Sequence, residues 1–330
     1  MKFDVVRCLA IIFVICIHSM GIIDAAIAEG SVGLGVKLIG GILNSVIHSG
    51  VPLFLMLSGA LLLGKMEPIK LFFLKRLKRI LVPFFVWNLI VFVLGSLKGF
   101  RQLGYGQIIC TFLKKFLTEG THGIYWYVYA IIGLYLLTPV LRVYFCHADK
   151  KQVYYLGGIL VLITSLSRIF PSLTIFSRFS SPNLDCLTYF IIGYIVHQYL
   201  VKEKNFHKYA LLGFMMTMLG GCIDNVCRID SNFPWIFFTS ICLFSIIVSS
   251  KSVSAVDSQS RFGKVIHFIS STSYGIFLSH FLIISLFIKI GLHAFIPLCI
   301  EPICMTLIVL MVECFLMWLI RTIRIDKILM

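Results

Sequence analysis

Charged residues are scarce in this chain: among its 330 residues, Lys and Arg number 29, Asp and Glu number 14, and together they make up 13%. An ordinary soluble domain has about a quarter charged residues, so this composition excludes one. Hydrophobic residues make up 59% of the sequence, and the mean hydropathy is +0.98. We therefore predict a polytopic membrane protein that forms one domain over residues 1–330.

Several features that would indicate other kinds of protein are also missing. The 11 cysteines are scattered, without a CxxC pair or the Cys/His spacing of a zinc site, so we expect no metal site. No small-residue cleavage motif follows the first apolar run, which we interpret as a retained span rather than a signal peptide. No internal repeat is recognisable, and this disfavours a transporter because many transporters are built from inverted repeats.

Long apolar runs, by contrast, are abundant. A helix of about 20 apolar residues crosses a bilayer, and this chain has ten runs that approach or reach that length. They lie at residues 5–23, 40–63, 80–97, 123–145, 153–170, 186–201, 208–224, 234–250, 266–290 and 298–320. The predicted fold is therefore all-α, with about ten transmembrane helices.

The formal net charge of +15 suggests a nucleic-acid partner, but the positions of the basic residues argue against one. They cluster in alternate segments between the apolar runs, at residues 65–79, 142–151, 202–208, 251–264 and 321–327. Under the positive-inside rule these segments and both termini face the cytoplasm, where they suit anionic lipid or an anionic ligand. Segment 98–122 alternates apolar and basic residues, and we expect a helix on the membrane surface there.

The first apolar run contains Arg7 and His18, two residues that are costly in hydrocarbon. They lie eleven positions apart, about three helical turns, so both side chains project from one face roughly 16 Å apart along the axis. Ionisable residues inside a membrane indicate a functional site by default. Two alternatives stay open: Arg7 snorkels to the interface or pairs with Asp4, and His18 is a satisfied core residue.

The second apolar run, 40–63, combines a proline with small residues. Pro52 is expected to kink the helix, and Gly50, Ser58 and Gly59 permit close approach of a neighbouring helix. We therefore expect a broken or tightly packed second span beside the first one.

Three further stretches contain candidate binding residues. Arg76 and Arg79 share a helical face and suit a phosphate-bearing ligand, with ordinary positive-inside charge as the alternative. Trp126 and Tyr129 belong to an aromatic cluster that fits either stacking against a sugar or an interfacial aromatic belt. His280 is another histidine within a long apolar run.

Taken in order, these stretches resemble the membrane acyltransferase family 3. The matching segments are FDVVRCLAIIFVICIHS, VPLFLMLSGALLL, KRLKRILVP, WYVYAIIGLYLLTPVLR and SYGIFLSHFLI, which together span about residues 3–285. The GLYLLTP element is most similar to the branch that contains the enterobacterial common antigen O-acetyltransferase. Many relatives have a histidine two residues before Trp126, whereas this chain has Ile124 there, and its nearest histidine is His122.

The resemblance implies a multi-pass O-acyltransferase of the bacterial inner membrane, with an acyl-CoA such as acetyl-CoA as the cytosolic donor. The implied acceptor is a sugar hydroxyl of a cell-surface or lipid-linked polysaccharide, and no metal is implied. By the same resemblance, Arg7 and His18 are the essential pair. Arg76 and Arg79 are then the donor contacts. We assign substrate binding to Trp126, Tyr129 and His280.

We expect His18 to take the proton of the acceptor hydroxyl as that hydroxyl attacks the thioester, because imidazole titrates near neutral pH. A two-step route through an acyl-enzyme is the alternative. Arg7 lies three turns away, so we assign it to the CoA phosphates or to the entrance for the pantetheine arm. The rival hypothesis is a transporter or flippase-like carrier with Arg7 and His18 as its substrate site. A third is a non-catalytic partner in a glycan assembly complex.

Overall fold

The structure is a computed structural model that describes residues 1–30, 32–96, 104–118, 120–172, 182–227 and 234–330. Helices account for most of these residues, and no strand occurs among them, which confirms the predicted all-α class. The α-helices are α1 (Lys2–Ser19), α2 (Gly21–Ala28), α3 (Leu34–Ile47), α4 (Gly50–Leu62), α5 (Ile69–Ser96), α6 (Tyr105–Thr118), α7 (Trp126–His147), α8 (Lys150–Ile169), α9 (Pro182–Gln198), α10 (Phe206–Cys227), α11 (Trp235–Ser249), α12 (Lys251–Ser254), α13 (Arg261–Lys289), α14 (Glu301–Thr322) and α15 (Asp326–Leu329).

Each predicted span coincides with a helix or with two consecutive helices. Among the described residues, 8 helical segments are long and apolar enough to cross a membrane, with α3 and α4 counted together as Leu34–Leu62. The number is up to 9 if α1 and α2, which meet at 46°, form one broken span. Helix α11 is apolar but shorter than these. The second run is interrupted at His48 and Ser49, before Pro52, which lies in the first turn of α4 where its missing N–H costs no hydrogen bond.

Helices α4 and α9 are in backbone contact. A Cβ placed on Gly59 would lie 1.6 Å from the carbonyl oxygen of Phe190, and one on Gly193 would lie 2.0 Å from that of Met56. Only glycine fits at either position, which confirms the expected tight packing of the second span. On its other side α4 packs on α1, since a Cβ on Gly50 would lie 3.0 Å from the carbonyl oxygen of Ala10.

Helix α13 is the element on which the bundle's polar interior is arranged. It begins at a cap in which the Gly263 N–H donates to the Ser260 hydroxyl at 3.0 Å, and it then packs along α1, α5 and α14. Residues 269–281 are mostly buried, and serine and threonine are frequent among them. Polar side chains of α13 therefore contact both neighbouring helices: Ser270 donates to Asp4 of α1, while Ser271 and Ser279 bond to Arg321 and Glu313 of α14.

Three contacts between distant segments gather the basic residues at one end of the bundle, which we call the basic end. Lys2 Nζ donates to the Val248 carbonyl at 2.6 Å, Arg321 Nη2 donates to the Ser271 hydroxyl at 2.8 Å, and Lys150 Nζ donates to Glu203 at 2.9 Å. Segment 142–151 thus lies beside segment 202–208, and the 3.8 Å contact between Arg142 and Glu67 places it beside segment 65–79 as well. The cytoplasmic position of this end and of both termini stays a prediction.

The amphipathic segment 98–122 contains α6, and its predicted residues 98–103 and 119 lie outside the described residues. The apolar face of α6 packs on α5: the Phe116 ring lies 5.4 Å from that of Phe84, and Phe112 lies 5.6 Å from Phe85. The predicted helix is therefore present, while its position on the membrane surface stays a prediction.

Candidate functional site

A cavity of about 640 Å³ lies at the basic end, between α1, α4, α5, α7 and α13, and we call it the basic cavity. Its lining includes the basic side chains Arg7, Lys65, Arg76 and Arg79. Asp4 is the carboxylate found in the described part of the lining. The cavity therefore concentrates positive charge in a concave site, an arrangement that attracts anionic ligands.

Arg7 reaches this cavity from α1. Its Nη1 lies 3.6 Å from Asp4 Oδ1 and 3.5 Å from the Ser270 hydroxyl of α13, and that hydroxyl donates to Asp4 Oδ1 at 2.8 Å. The predicted pairing with Asp4 is present. The guanidinium nevertheless stays 34% exposed, so it keeps donors available to a ligand in the basic cavity.

Arg76 and Arg79 both line the basic cavity, but their surroundings differ. Arg76 forms an ion pair with Glu67, and its guanidinium lies 4.5 Å from the centroid of the Phe72 ring. Arg79 has no carboxylate within salt-bridge distance among the described residues, and it acts electrostatically on Arg7. Arg79 is therefore the more available of the two for an anionic ligand.

Sequence reasoning missed Arg142, the basic residue that holds the Arg76 ion pair in place. Arg142 is buried at 4% exposure, donates from Nε to the Leu62 carbonyl at 2.8 Å, and lies 3.8 Å from Glu67. Its guanidinium is also 4.5 Å from the centroid of the Phe72 ring. In the sequence, Arg142 resembles ordinary positive-inside charge, and no local signal pairs it with Glu67.

His18 lies one layer beyond the floor of the basic cavity. Phe277 of α13 lines that floor, His280 follows it by one turn at a ring separation of 6.0 Å, and the His18 ring lies 5.2 Å from that of His280. Arg7 and His18 thus both face α13, Arg7 at Ser270 and His18 at His280. The predicted common face of the two side chains is present.

Four imidazoles belong to this part of the bundle: His18, His48, His122 and His280. We call them the histidine cluster. His18 is exposed and interacts electrostatically with His122 and His48, while His280 is fully buried. No group of three or more His, Cys, Asp or Glu side chains in the described residues is arranged to hold a metal ion. Sequence reasoning missed His48: it placed the second span beside the first, but it could not predict which side chain of that span would lie near His18.

His122 is the histidine nearest in sequence to Ile124, the position at which many relatives have a histidine. Its ring stacks on Phe281 with centroids 4.1 Å apart, and its Nδ1 accepts a hydrogen bond of 3.4 Å from the Ile124 N–H. Burial lowers the pKa of His122 below its ordinary value, so the ring is neutral at neutral pH. The imidazole of His122, rather than the buried side chain of Ile124, therefore belongs to the histidine cluster.

The two aromatic residues predicted to bind substrate have different surroundings. Tyr129 donates from its hydroxyl to the Phe116 carbonyl of α6, and its ring packs edge-on against Phe84 at 5.3 Å. Trp126 packs edge-on against Tyr127 at 6.5 Å and stays 48% exposed. Of these two side chains, Trp126 keeps a free ring surface that a ligand can reach.

The fold and the site together define a class: a multi-pass helical membrane protein in which a basic cavity and a group of histidines lie along the same helix, α13. Residues 2–322 match the family described as an acyltransferase domain, that of acyltransferase family 3. The match covers nearly the whole chain, so the chain belongs to this family and is a membrane acyltransferase. Neither the curated proteins nor the solved structures compared with the chain include a match.

Proposed function

We propose that this protein is an O-acyltransferase of the bacterial inner membrane, and that acetyl is the group it transfers. The donor is a cytosolic acyl-CoA, and the acceptor is a hydroxyl of a cell-surface or lipid-linked polysaccharide, as in the O-acetyltransferase branch that the sequence resembles. One observation carries the proposal: the basic cavity and the histidine cluster are consecutive along α13, with Arg7 at one level and His18 at the next.

The basic cavity has the properties that a CoA donor requires. Its volume of about 640 Å³ lies within the range of about 300–1,000 Å³ that is usual for ligand pockets. Guanidinium groups grip phosphate oxygens in a fork, and Arg79 and Arg7 offer such groups without a strong ion pair to displace. The basic end is also the end that the positive-inside rule assigns to the cytoplasm, where acyl-CoA is made.

The floor of the basic cavity directs the thioester toward the histidine cluster. Ser270 and His280 are ten residues apart on α13, a rise of about 15 Å, so an extended pantetheine arm bridges the level of Arg7 and the level of His18. Tyr127 and Phe277 line the floor between these two levels, with ring centroids 5.2 Å apart. The phosphates would stay at the basic end while the acyl carbon reaches the histidines.

The chemistry at the histidine cluster is then a direct acyl transfer. His18 accepts the proton of the acceptor hydroxyl while the oxygen forms a bond to the thioester carbon, and the carbon–sulfur bond breaks. His18 then returns the proton to the departing CoA sulfur, so the products are the ester and free CoA. His18 is not covered by other side chains, and the exposed ring of Trp126 offers a surface on which a sugar can stack.

The test compares His18→Ala with a control, His147→Ala, whose imidazole bonds only to the Val143 carbonyl of its own helix among the described residues. We expect His18→Ala to lower acyl transfer at least about 100-fold, because a general base contributes 10²- to 10⁴-fold. Thermal stabilisation by CoA is expected to stay unchanged in both variants. Transfer is measured with labelled acetyl-CoA and by mass spectrometry of surface glycans from cells with and without the protein.

Two results would overturn the proposal. Near wild-type transfer by His18→Ala would show that His18 is not the general base. If CoA does not stabilise the detergent-solubilised wild-type protein, the basic cavity is not a donor site. That result would favour a carrier in which Arg7 and His18 bind the transported molecule.

A further inference from the structure

His280 is a fully buried imidazole to which the proposed chemistry gives no task. It lies on α13 between the cavity floor at Phe277 and the ring of His18, with no exposed surface. Buried polar atoms in proteins nearly always have hydrogen-bond partners. Each ring nitrogen of His280 is therefore expected to have a hydrogen-bond partner.

The backbone of α13 fixes the tautomer of His280. Its Nδ1 lies 2.8 Å from the Phe277 carbonyl oxygen and 3.1 Å from the Ile276 carbonyl oxygen. Carbonyl oxygens only accept hydrogen bonds, so Nδ1 must carry the proton and donate it. In a neutral imidazole the other nitrogen, Nε2, then has an unshared electron pair and acts only as an acceptor.

The Nε2 acceptor is buried and has no hydrogen-bond partner in the described part of the chain. A buried acceptor without a partner destabilises the folded state, so its presence requires an explanation. Nδ1 faces the helix backbone, and Nε2 is therefore on the side of the ring that points away from α13. The ring of His18 lies 5.2 Å away by centroid, tilted by 38°.

This separation matches a hydrogen bond between two imidazoles. A nitrogen–nitrogen distance of about 2.9 Å and about 1.1 Å from each nitrogen to its ring centre place the centroids about 5.1 Å apart. The observed distance of 5.2 Å therefore needs a rotation of the His18 ring and no movement of the helices. Catalytic hydrogen bonds commonly align only when the substrate is bound.

We propose that His280 is the positioning residue for His18. Its Nε2 accepts a hydrogen bond from one N–H of His18, which leaves the other nitrogen of His18 unprotonated and directed at the acceptor hydroxyl. When His18 takes the hydroxyl proton, the bond to His280 holds the imidazolium until the proton passes to the CoA sulfur. The inference rests on the proposed function, and it replaces direct substrate binding by His280, whose ring a substrate cannot reach.

The electrostatic partners of His18 support this assignment. In a Ser–His–Asp triad a carboxylate orients the catalytic imidazole. Here the groups that act on His18 are His122 and His48, and no carboxylate forms a salt bridge with His18 among the described residues. His280 is thus the buried acceptor next to His18 with a lone pair that the backbone has fixed.

The experiment compares two amide substitutions at this position, His280→Gln and His280→Asn. The amide group of Gln extends to the place of Nε2 and keeps an acceptor toward His18. The amide group of Asn ends near the place of Nδ1, so it keeps a donor toward the α13 carbonyls and loses that acceptor. We expect His280→Asn to lower kcat by 10- to 100-fold, the usual effect of removing an orienting partner. His280→Gln is expected to stay within about threefold of wild type by the same reasoning.

Two measurements separate positioning from mere packing: the KM for acetyl-CoA and the thermal stabilisation by CoA, both of which we expect to be unchanged in the two variants. Equal kcat in Asn and Gln variants, or a greater loss in Gln, would overturn the role of Nε2 while leaving the proposed function intact. Loss of CoA stabilisation in both variants would overturn the positioning role of His280 and indicate a structural role instead. Failure of the wild-type protein to bind CoA would defeat the proposed function and this inference together.

Discussion

Removing the guanidinium of Arg79 is the most direct test of the donor site. Arg79 lines the basic cavity, and no carboxylate lies within salt-bridge distance of it among the described residues, so its donors are available to a CoA phosphate. Arg76, three residues earlier, is already committed to Glu67. The substitution Arg79→Ala therefore removes the proposed ligand contact with little change in the ion pairs of the protein.

The expected magnitude follows from the kind of bond that is lost. A hydrogen bond to a charged group contributes about 1.5–3 kcal/mol. Since each 1.4 kcal/mol is a factor of ten in affinity, Arg79→Ala should weaken CoA binding by about 10- to 150-fold. Arg79→Lys keeps the charge and loses the fork geometry, so its loss of affinity should lie between those of wild type and Arg79→Ala.

The matched control is Lys78→Ala. Lys78 is exposed on the same helix and is not among the residues that line the basic cavity. The substitution Lys78→Ala therefore removes one positive charge without removing the proposed ligand contact. Affinity for CoA is measured by titration calorimetry in detergent at about 0.15 M salt, where the Debye length is about 8 Å. Dephospho-CoA, which lacks one phosphate, is titrated in parallel with each variant.

Under these conditions Lys78→Ala should change the Kd by less than about threefold, because exposed charges are screened. If Arg79 contacts the phosphate that dephospho-CoA lacks, Arg79→Ala will weaken CoA and leave dephospho-CoA unchanged. If it contacts the diphosphate, both ligands will weaken equally. Equal effects of Arg79→Ala and Lys78→Ala on both ligands would refute the reasoning, since the site would then act only through its overall charge.

Two further predictions concern stability, and unfolding temperature in detergent measures both. Gly59→Ala should destabilise the protein by about 1–3 kcal/mol or more, because the new methyl group meets a backbone carbonyl oxygen at 1.6 Å, whereas Gly158→Ala, with nothing within 4 Å, should not. An equal effect of the two would contradict backbone contact between α4 and α9. Glu67→Gln should lower the unfolding temperature because buried Arg142 loses its carboxylate, while Glu203→Gln, at an exposed ion pair, should leave it unchanged.

The histidine cluster depends on contacts between distant segments, which the sequence could not predict. The spacing of Arg7 and His18 predicted a common face, because helix geometry is local and repeats every 3.6 residues. The same reasoning could not bring His280 to His18 or place His48 nearby, since these residues come from three different segments. A resemblance to a family marked His280 as notable, but only the packing of α13 on α1 defines which ring it faces.

The sequence by itself determined the helical class, the positions of the spans, the gathering of basic residues in alternate segments and the tight second span. Hydropathy, charge and small residues act over one or two helical turns, so a local pattern is sufficient to predict them. Only the tertiary structure distinguished Arg76, which is paired with Glu67, from Arg79, and turned Tyr129 toward α6. Pairing and burial depend on which helices meet, and long-range packing decides that.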